Sequence, residues 1–342
     1  MAARRYLIVG PAWVGDMVMA QSLFITLREQ HPDCLIDVLA PGWSLPLLTR
    51  IPEVRKGIDV PITHGEFALV KRWRLGRALR AEHYDHALVL PRSFKAALIP
   101  FFAKARIRTG YRGEMRYGLL NDIRPLDKNR LTQTVQRFVA LGHSAETELS
   151  LTIPAPHLRV DRVNQQVLLQ RFDLKPQKGL IALLPGAEYG PAKQWPAEHF
   201  ATLAGQLHAQ GRRVVIIGSQ KDNKIAEAIL KQSPAPIDNL CGQTSLTDAI
   251  DLIAACDAAI SNDSGLMHIA AAVNTPLVAI YGSSSPTYTP PLSNRAVICY
   301  RGLECSPCFK RTCPLGHTDC LHGLAVEQVI EALAQLLREE EG

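Results

Sequence analysis

Short apolar runs that stop at glycine or proline recur along the whole chain. In the first half they are RYLIVG (Arg5 to Gly10), CLIDVLA (Cys34 to Ala40) and HALVLP (His86 to Pro91), separated by helix-length stretches such as Met17 to Gln30. Such runs read as buried strands, and a helix between consecutive ones is the pattern of a parallel sheet. The second half repeats it with GLIALLPG (Gly179 to Gly186), RRVVIIGS (Arg212 to Ser219), DAAISND (Asp257 to Asp263) and PLVAIYG (Pro276 to Gly282). Helical stretches His199 to Gln210 and Leu246 to Ala255 lie between these. The pattern predicts an α/β fold of two Rossmann-like, doubly wound parallel-sheet domains. Between the halves, LTIPAPHLRVDR (Leu151 to Arg162) is interrupted by proline and leads into a short helix. The expected organisation is a first domain over 1–155, a linker over 156–176, a second domain over 177–322 and a closing helix over 323–342 that packs back across the domains. Doubly wound sheets bind ligands beyond the carboxyl ends of their strands, so a central cleft faced by both domains is the expected site.

Length agrees with two domains, because 342 residues exceed the roughly 250–300 at which a single core stops growing. Hydrophobic residues at 47% and charged residues at 20% are ordinary for a soluble protein. No apolar run reaches the roughly 18–20 residues that a membrane span needs. The apolar run before Gly10 and Pro11 is too short for a secretion signal, so a cytoplasmic protein is expected. Charge is uneven. Of the net +6, residues 1–150 hold 22 Lys and Arg against 14 Asp and Glu, and the remainder is slightly acidic. A basic first half suits nucleic acid, anionic lipid or a phosphorylated substrate. The acidic end, Glu339 to Glu341, reads as a solvated helix terminus.

Four segments carry candidate chemistry. After the first strand, IVGPAWVGDMV has only Gly10 and Gly15, without the third glycine of a dinucleotide fingerprint. Asp16 opens the following helix, either as a carboxylate favoured by the helix dipole or as a general base. PGAEYGPAKQWP (Pro185 to Pro196) can bring backbone N–H groups and the Lys193 ammonium to phosphate oxygens. In AISNDSGLMHIAAA (Ala259 to Ala272), Asn262, Asp263, Ser264 and Gly265 form a polar turn before a helix that carries His268. A helix N-terminus of this type binds anions; a plain N-cap with an inward histidine is the other reading. In KAALIPFFAKARIRTGYRGEMRYG (Lys95 to Gly118), Leu98, Ile99, Phe101 and Phe102 mix with Lys104, Arg106, Arg108, Arg112 and Arg116. That mixture suits an anionic sugar at a membrane surface, or a core helix with a basic edge.

Eight cysteines in a chain expected to be cytosolic argue against a disulfide framework, and Cys34, Cys241 and Cys256 sit in apolar surroundings. Cys299, Cys305, Cys308, Cys313 and Cys320 cluster with His317 and His322. The two-residue spacing of Cys305 and Cys308 is that of a zinc knuckle, which Cys313 and Cys320, or His317, would complete. A structural zinc at Cys305, Cys308, Cys313 and Cys320 is one reading; reduced thiols, or a disulfide formed on isolation, are the others.

GPAWVGDMVMAQSL, GEMRYGLLND, PGAEYGPAKQWP, NDSGLMHIAAA and YGSSSPTYTPP, in this order over nearly the whole chain, resemble the ADP-heptose:lipopolysaccharide heptosyltransferases of glycosyltransferase family 9, most closely the heptosyltransferase II branch. The resemblance implies a GT-B fold and an inverting, metal-independent transfer of heptose from ADP-heptose to heptosyl-Kdo2-lipid A. It makes Asp16 the catalytic base and sets Lys193 at the donor diphosphate. Asp263 would face the heptose hydroxyls, and Ser264, Gly265 and His268 would surround the diphosphate, with Glu188 and Tyr189 in a donor loop. Gly15, Asp16, Lys95, Arg112 and Arg116 would meet the acceptor, with peripheral contact at the cytoplasmic face of the inner membrane and no role for nucleic acid. Transfer to Kdo or to an outer heptose is the nearest alternative. A nicotinamide-dependent oxidoreductase and a non-catalytic nucleotide- or nucleic-acid-binding module are the distant ones.

Overall fold

The computed structural model describes residues 3–62, 65–144, 152–174 and 179–338, and the chain divides into two compact units, Met1–Pro156 and His157–Gly342. The acidic end at 339–341, Leu151 and positions 175–176 of the expected linker lie outside the described residues.

The first unit is built on strands β1 (Arg5–Val9), β2 (Leu35–Ala40), β3 (Val54–Asp59), β4 (His86–Val89), β5 (Ile107–Tyr111) and β6 (Asp122–Arg124). Its helices are α1 (Val14–Gln30), α2 (Leu45–Leu48), α3 (Leu69–Ala78), α4 (Leu98–Phe102) and α5 (Thr134–Leu141). All neighbours pair in parallel in the order β3-β2-β1-β4-β5-β6, with Tyr6 opposite both Ile36 and His86. The strand order reverses at β1, and the crevice beyond the carboxyl ends of β1 and β4 is the topological switch point where such sheets take ligands.

The second unit opens with α6 (Arg162–Arg171) and continues through β7 (Leu180–Leu184), α7 (Ala197–Ala209), β8 (Arg213–Ile216), α8 (Asn223–Gln232), β9 (Asp238–Asn239) and α9 (Leu246–Ile253). It ends with β10 (Ala258–Asn262), α10 (Gly265–Ala272), β11 (Leu277–Tyr281), β12 (Ala296–Tyr300), α11 (Asp319–His322) and α12 (Val326–Arg338). Its sheet, also all parallel, runs β12-β11-β10-β7-β8-β9, which is the same winding as the first, and its switch point lies between β7 and β10.

The strands that stand out in the sequence are central ones. Every residue of β7, β10 and β11 is buried, so these strands read as near-continuous apolar runs, broken only where Ser261 and Asn262 end β10. The four edge strands, β3, β6, β9 and β12, are at most partly buried and carry mixed sequences such as VRKGID. The Lys95 to Gly118 segment is not one amphipathic element. It folds as the five-residue α4, which buries Leu98 and Ile99, and then as β5, where Thr109 and Tyr111 are buried.

Much of the expected linker belongs to the second unit. Asp161 caps α6, accepting from Val163 N at 3.0 Å and Asn164 N at 3.1 Å. Fully buried Asp251 on α9 accepts from Asp161 N at 2.8 Å and from Asn164 Nδ2 at 2.8 Å. A buried carboxylate requires such donors, so α6 is fixed onto α9. The closing helix has Val326, Val329, Leu333 and Leu336 on one stripe at helical spacing. This stripe packs on α7, β11 and β12, joining the core of the second unit around Trp195, Phe200, Ile260 and Ile280.

Candidate active site

In the first unit the chain leaves β1 through Gly10, whose N–H donates to Leu39 O at 2.9 Å. A Cβ here would lie 2.6 Å from Met17 Cε and 3.1 Å from Leu39 O, so the close approach of turn and helix requires glycine. Helix α1 begins at Val14, three residues before the apolar pattern does, and this puts Asp16 inside its first turn, half-buried beside buried Gly15. Trp13 at the N-cap supplies no side-chain cap. The aligned peptide dipoles of a 17-residue helix favour the ionised form of a carboxylate at that end. Asp16 thus carries its carboxylate at the switch point of its sheet.

Of the other acceptor-side candidates, Lys95 is half-buried and Arg112 is exposed. Arg116 is placed differently: it is 2% exposed, donating through Nη1 to Pro91 O at 2.7 Å and through Nη2 to Tyr111 O. Its Nε is buried without a partner. Two main-chain carbonyls, after β4 and at the end of β5, occupy the terminal nitrogens, so the structure corrects the expectation of a surface contact: Arg116 ties loops together.

In the second unit the donor candidates surround Asn262, which the sequence reading placed in the polar turn without assigning it a contact. Fully buried Asn262, the last residue of β10, donates from Nδ2 to Pro185 O at 2.8 Å and accepts from Trp195 N at 3.0 Å. Both ends of the Pro185–Pro196 loop are thereby held to the strand that leads into α10. Trp195 is itself fully buried and donates its indole N–H to Leu324 O at 3.0 Å. Within the loop, Gly190 has φ 151°, and a Cβ would sit 2.6 Å from Arg311 O; Ala192 N donates to that same carbonyl at 3.0 Å. Tyr189 donates to Phe309 O at 2.8 Å. Removal of the Asn262 side chain leaves a buried carbonyl and a buried N–H unpaired, at about 1–3 kcal/mol for each. Asn262→Ala is expected to lower the melting temperature by several degrees, as read by calorimetry.

This frame presents Lys193. Its Nζ donates to Asp263 Oδ2 at 2.5 Å and lies 5.2 Å from the Tyr189 ring centroid. Asp263 is 5% exposed and the Lys193 side chain 18%. Ser264 caps α10, accepting from Met267 N at 3.4 Å, so Gly265 opens the helix with its first-turn N–H groups at the end of β10. His268 is buried in the next turn, and burial pushes its imidazole down to about 4, with Asp263 raising and Lys193 lowering it. It is neutral near neutral pH. A cation, a carboxylate and a helix N-terminus converge on one strand end, an arrangement that takes a phosphate ester and hydroxyls. Glu188 is not tied to this pair; it meets Lys221 at 2.6 Å, an exposed contact that solvent screens. Beyond β11, the Ser283 and Ser284 hydroxyls are buried without a partner. Their sequence signal is the serine run of YGSSSPTYTPP.

His86 on β4 is also driven down to about 4, chiefly by burial. For His86 and His268 the folded value lies below the ordinary 6.5, so the unfolded chain takes up protons that the folded one refuses. The stability they contribute is complete above about pH 6.5 and is lost as pH falls toward about 4. Thermal melts are expected to show a falling midpoint across that window, and His268→Asn a shallower fall.

Cys305, Cys308, Cys313 and Cys320 line a cavity of about 20 Å³ together with His317 and Ser283. Among the described residues, no three His, Cys, Asp or Glu side chains are arranged to hold a metal ion.

The family profile described as Glycosyltransferase family 9 (heptosyltransferase) matches residues 72–319. The chain is 46% identical over 345 residues to lipopolysaccharide heptosyltransferase 2 of Salmonella typhimurium strain LT2, covering 98% of this chain and 99% of the relative. It is 50% identical over 303 residues to lipooligosaccharide heptosyltransferase 2 of Haemophilus influenzae, covering 85% and 87%. The solved structure of E. coli ADP-heptose lipopolysaccharide heptosyltransferase II superposes with a TM-score of 0.88 at 43% identity, covering 99% of this chain and 100% of that one. With a profile spanning most of the chain and near full-length likeness to these enzymes, the chain belongs to glycosyltransferase family 9, the heptosyltransferases.

Proposed function

We propose that this glycosyltransferase moves L-glycero-D-manno-heptose from ADP-heptose to the first heptose of heptosyl-Kdo2-lipid A in the lipopolysaccharide inner core, by one inverting displacement without a metal ion. The observation that carries the reading is the Lys193–Asp263 pair at the start of α10, in a chain whose likeness to heptosyltransferase 2 proteins runs end to end. In the reaction, Asp16 accepts the proton of the acceptor hydroxyl as its oxygen attacks the anomeric carbon. The bond from that carbon to the diphosphate oxygen breaks, and ADP leaves with the electron pair. Attack opposite the leaving group inverts the anomeric centre. Negative charge developing on the diphosphate is met by the Lys193 ammonium and the first N–H groups of α10, the preorganised stabilisation that a cation would otherwise provide. Asp263 orients Lys193 and accepts from heptose hydroxyls; Ser264, Gly265 and neutral His268 shape the diphosphate pocket. Gly15, Lys95 and Arg112 serve the acceptor, whose negative charges suit the basic first half of the chain. Because this acceptor is anchored in lipid, the enzyme works in peripheral contact with the cytoplasmic face of the inner membrane. Among the described residues, no helix is long and apolar enough to cross a membrane.

The test is transfer from ADP-heptose to deacylated heptosyl-Kdo2 in the presence of a chelator, with product mass and anomeric configuration read by mass spectrometry and NMR. Turnover with inversion is expected. Transfer only to Kdo2 acceptor overturns the acceptor assignment, and dependence on added divalent cation overturns the metal-free mechanism.

A further inference from the structure

Helix α3 is packed on one side only. Its inner face holds buried Arg72, which donates to Phe67 O at 2.8 Å and Lys95 O at 3.3 Å, and buried Gly76, where a Cβ would lie 2.5 Å from Phe102 Cβ and 2.9 Å from Ile99 O. That contact lays the helix directly on α4. The outer side and the residue leading into it carry large apolar groups: Phe67, stacked on Phe94, is 50% exposed, Leu69 46%, Val70 59% and Trp73 38%. Single exposed apolar side chains are ordinary, but four within seven consecutive residues form a patch of the kind that marks an interaction surface. Phe101 of α4 is a further exposed ring, at 40%.

The surrounding charge selects the partner. Glu66 at the edge of the patch pairs with Lys71 at 3.2 Å; from Phe67 to Arg80 there is no further acidic residue, and Arg74 and Arg77 accompany the apolar groups. The Arg77 guanidinium lies 4.9 Å from the Trp73 ring centroid, so cation and indole share one face. Apolar groups that include a tryptophan, bordered by cations on a helix lying against the protein surface, are the pattern of a helix that rests in a lipid headgroup layer. Nucleic acid would use the cations and leave Leu69 and Val70 unsatisfied; a bilayer uses both.

We propose that the outer face of α3 and the residue leading into it, with Phe67, Leu69, Val70 and Trp73 as the apolar wedge and Arg74 and Arg77 as headgroup contacts, docks the enzyme on the anionic phospholipid surface of a bilayer. The proposal rests on the reading of a membrane-anchored acceptor and names the surface that reaches it. Docking here supplies the lipid surface itself, independently of acceptor sugar.

The test is flotation of the full-length protein with vesicles that contain no acceptor, either pure phosphatidylcholine or the same lipid with a quarter of phosphatidylglycerol. The wild type is expected to bind the anionic vesicles about tenfold or more better, with binding weakened by salt. Val70→Asp/Trp73→Asp is expected to lose this binding by about tenfold or more, and Arg74→Ala/Arg77→Ala to lose the preference for anionic lipid. Both variants should keep turnover on deacylated acceptor within about twofold of wild type, which also reports correct folding. Wild type that ignores anionic vesicles, or folded variants that bind as wild type does, would overturn the proposal. Failure of the wild type to turn over deacylated acceptor speaks against the proposed reaction alone, because vesicle binding is read without substrate.

Discussion

Asp16→Asn is expected to lower kcat by at least about 10²-fold, the scale of a lost general base, while KM for ADP-heptose changes little. The substitution preserves the shape of the side chain and its place in the first turn of α1. It removes the charge and the basicity. The structural cost is small, because a carboxylate at a helix start contributes about 0.3–1 kcal/mol through the dipole, so the melting temperature should fall by only a few degrees. The two measurements discriminate between the roles open to this residue. A base gives a large fall in kcat with a small shift in melting. A helix-start charge gives the small shift alone, and full activity in Asp16→Asn would remove Asp16 from the chemistry. The position itself favours the first outcome: Asp16 stands beyond the carboxyl end of β1, where the strand order of the first sheet reverses.

What the sequence makes legible follows burial. β10, as AAISN, and β11, as LVAIY, lie in the middle of their sheet with both faces covered, and their apolar runs are read directly. β3, as VRKGID, is an edge with solvent on much of its surface, and nothing in its alternation separates it from a loop. Site residues divide in a similar way. Lys193, Asp263 and His268 stand out because they follow readable strands, so their placement comes with the strand. Arg116 does not, since an arginine in a basic segment reads as surface until the path of the chain brings the Pro91 and Tyr111 carbonyls to it. The two hydrogen bonds of Asn262, to Pro185 O and from Trp195 N, are likewise long-range, joining segments some seventy residues apart, and only the parallel pairing of β7 with β10 makes them possible.

The largest effect in the second unit is expected at Lys193, and it has two components that a single substitution confounds. Lys193→Met leaves the 5%-exposed Asp263 carboxylate without its cation, and breaking a buried pair from one side destabilises by about 3–5 kcal/mol. It also removes the donor proposed for the diphosphate, worth about 10²–10³ in kcat by analogy with loss of one preorganised oxyanion donor. Adding Asp263→Leu separates the two. With both charges replaced by apolar groups, no unpaired ion remains, and stability should return to near or above that of the wild type, because the pair itself contributes little net energy. Catalysis should not return. A double-variant cycle read by thermal melts and by turnover under saturating substrates therefore expects strong coupling in stability and none that restores rate. If turnover recovered together with the melting temperature, Lys193 and Asp263 would be a folding device and the diphosphate contact would have to be sought elsewhere, with the orphaned Ser283 and Ser284 hydroxyls as the next groups to replace. If stability recovered while turnover stayed at about a hundredth of wild type or less, the pair's role is chemical: the structure accepts an apolar substitute there, and the departing diphosphate does not.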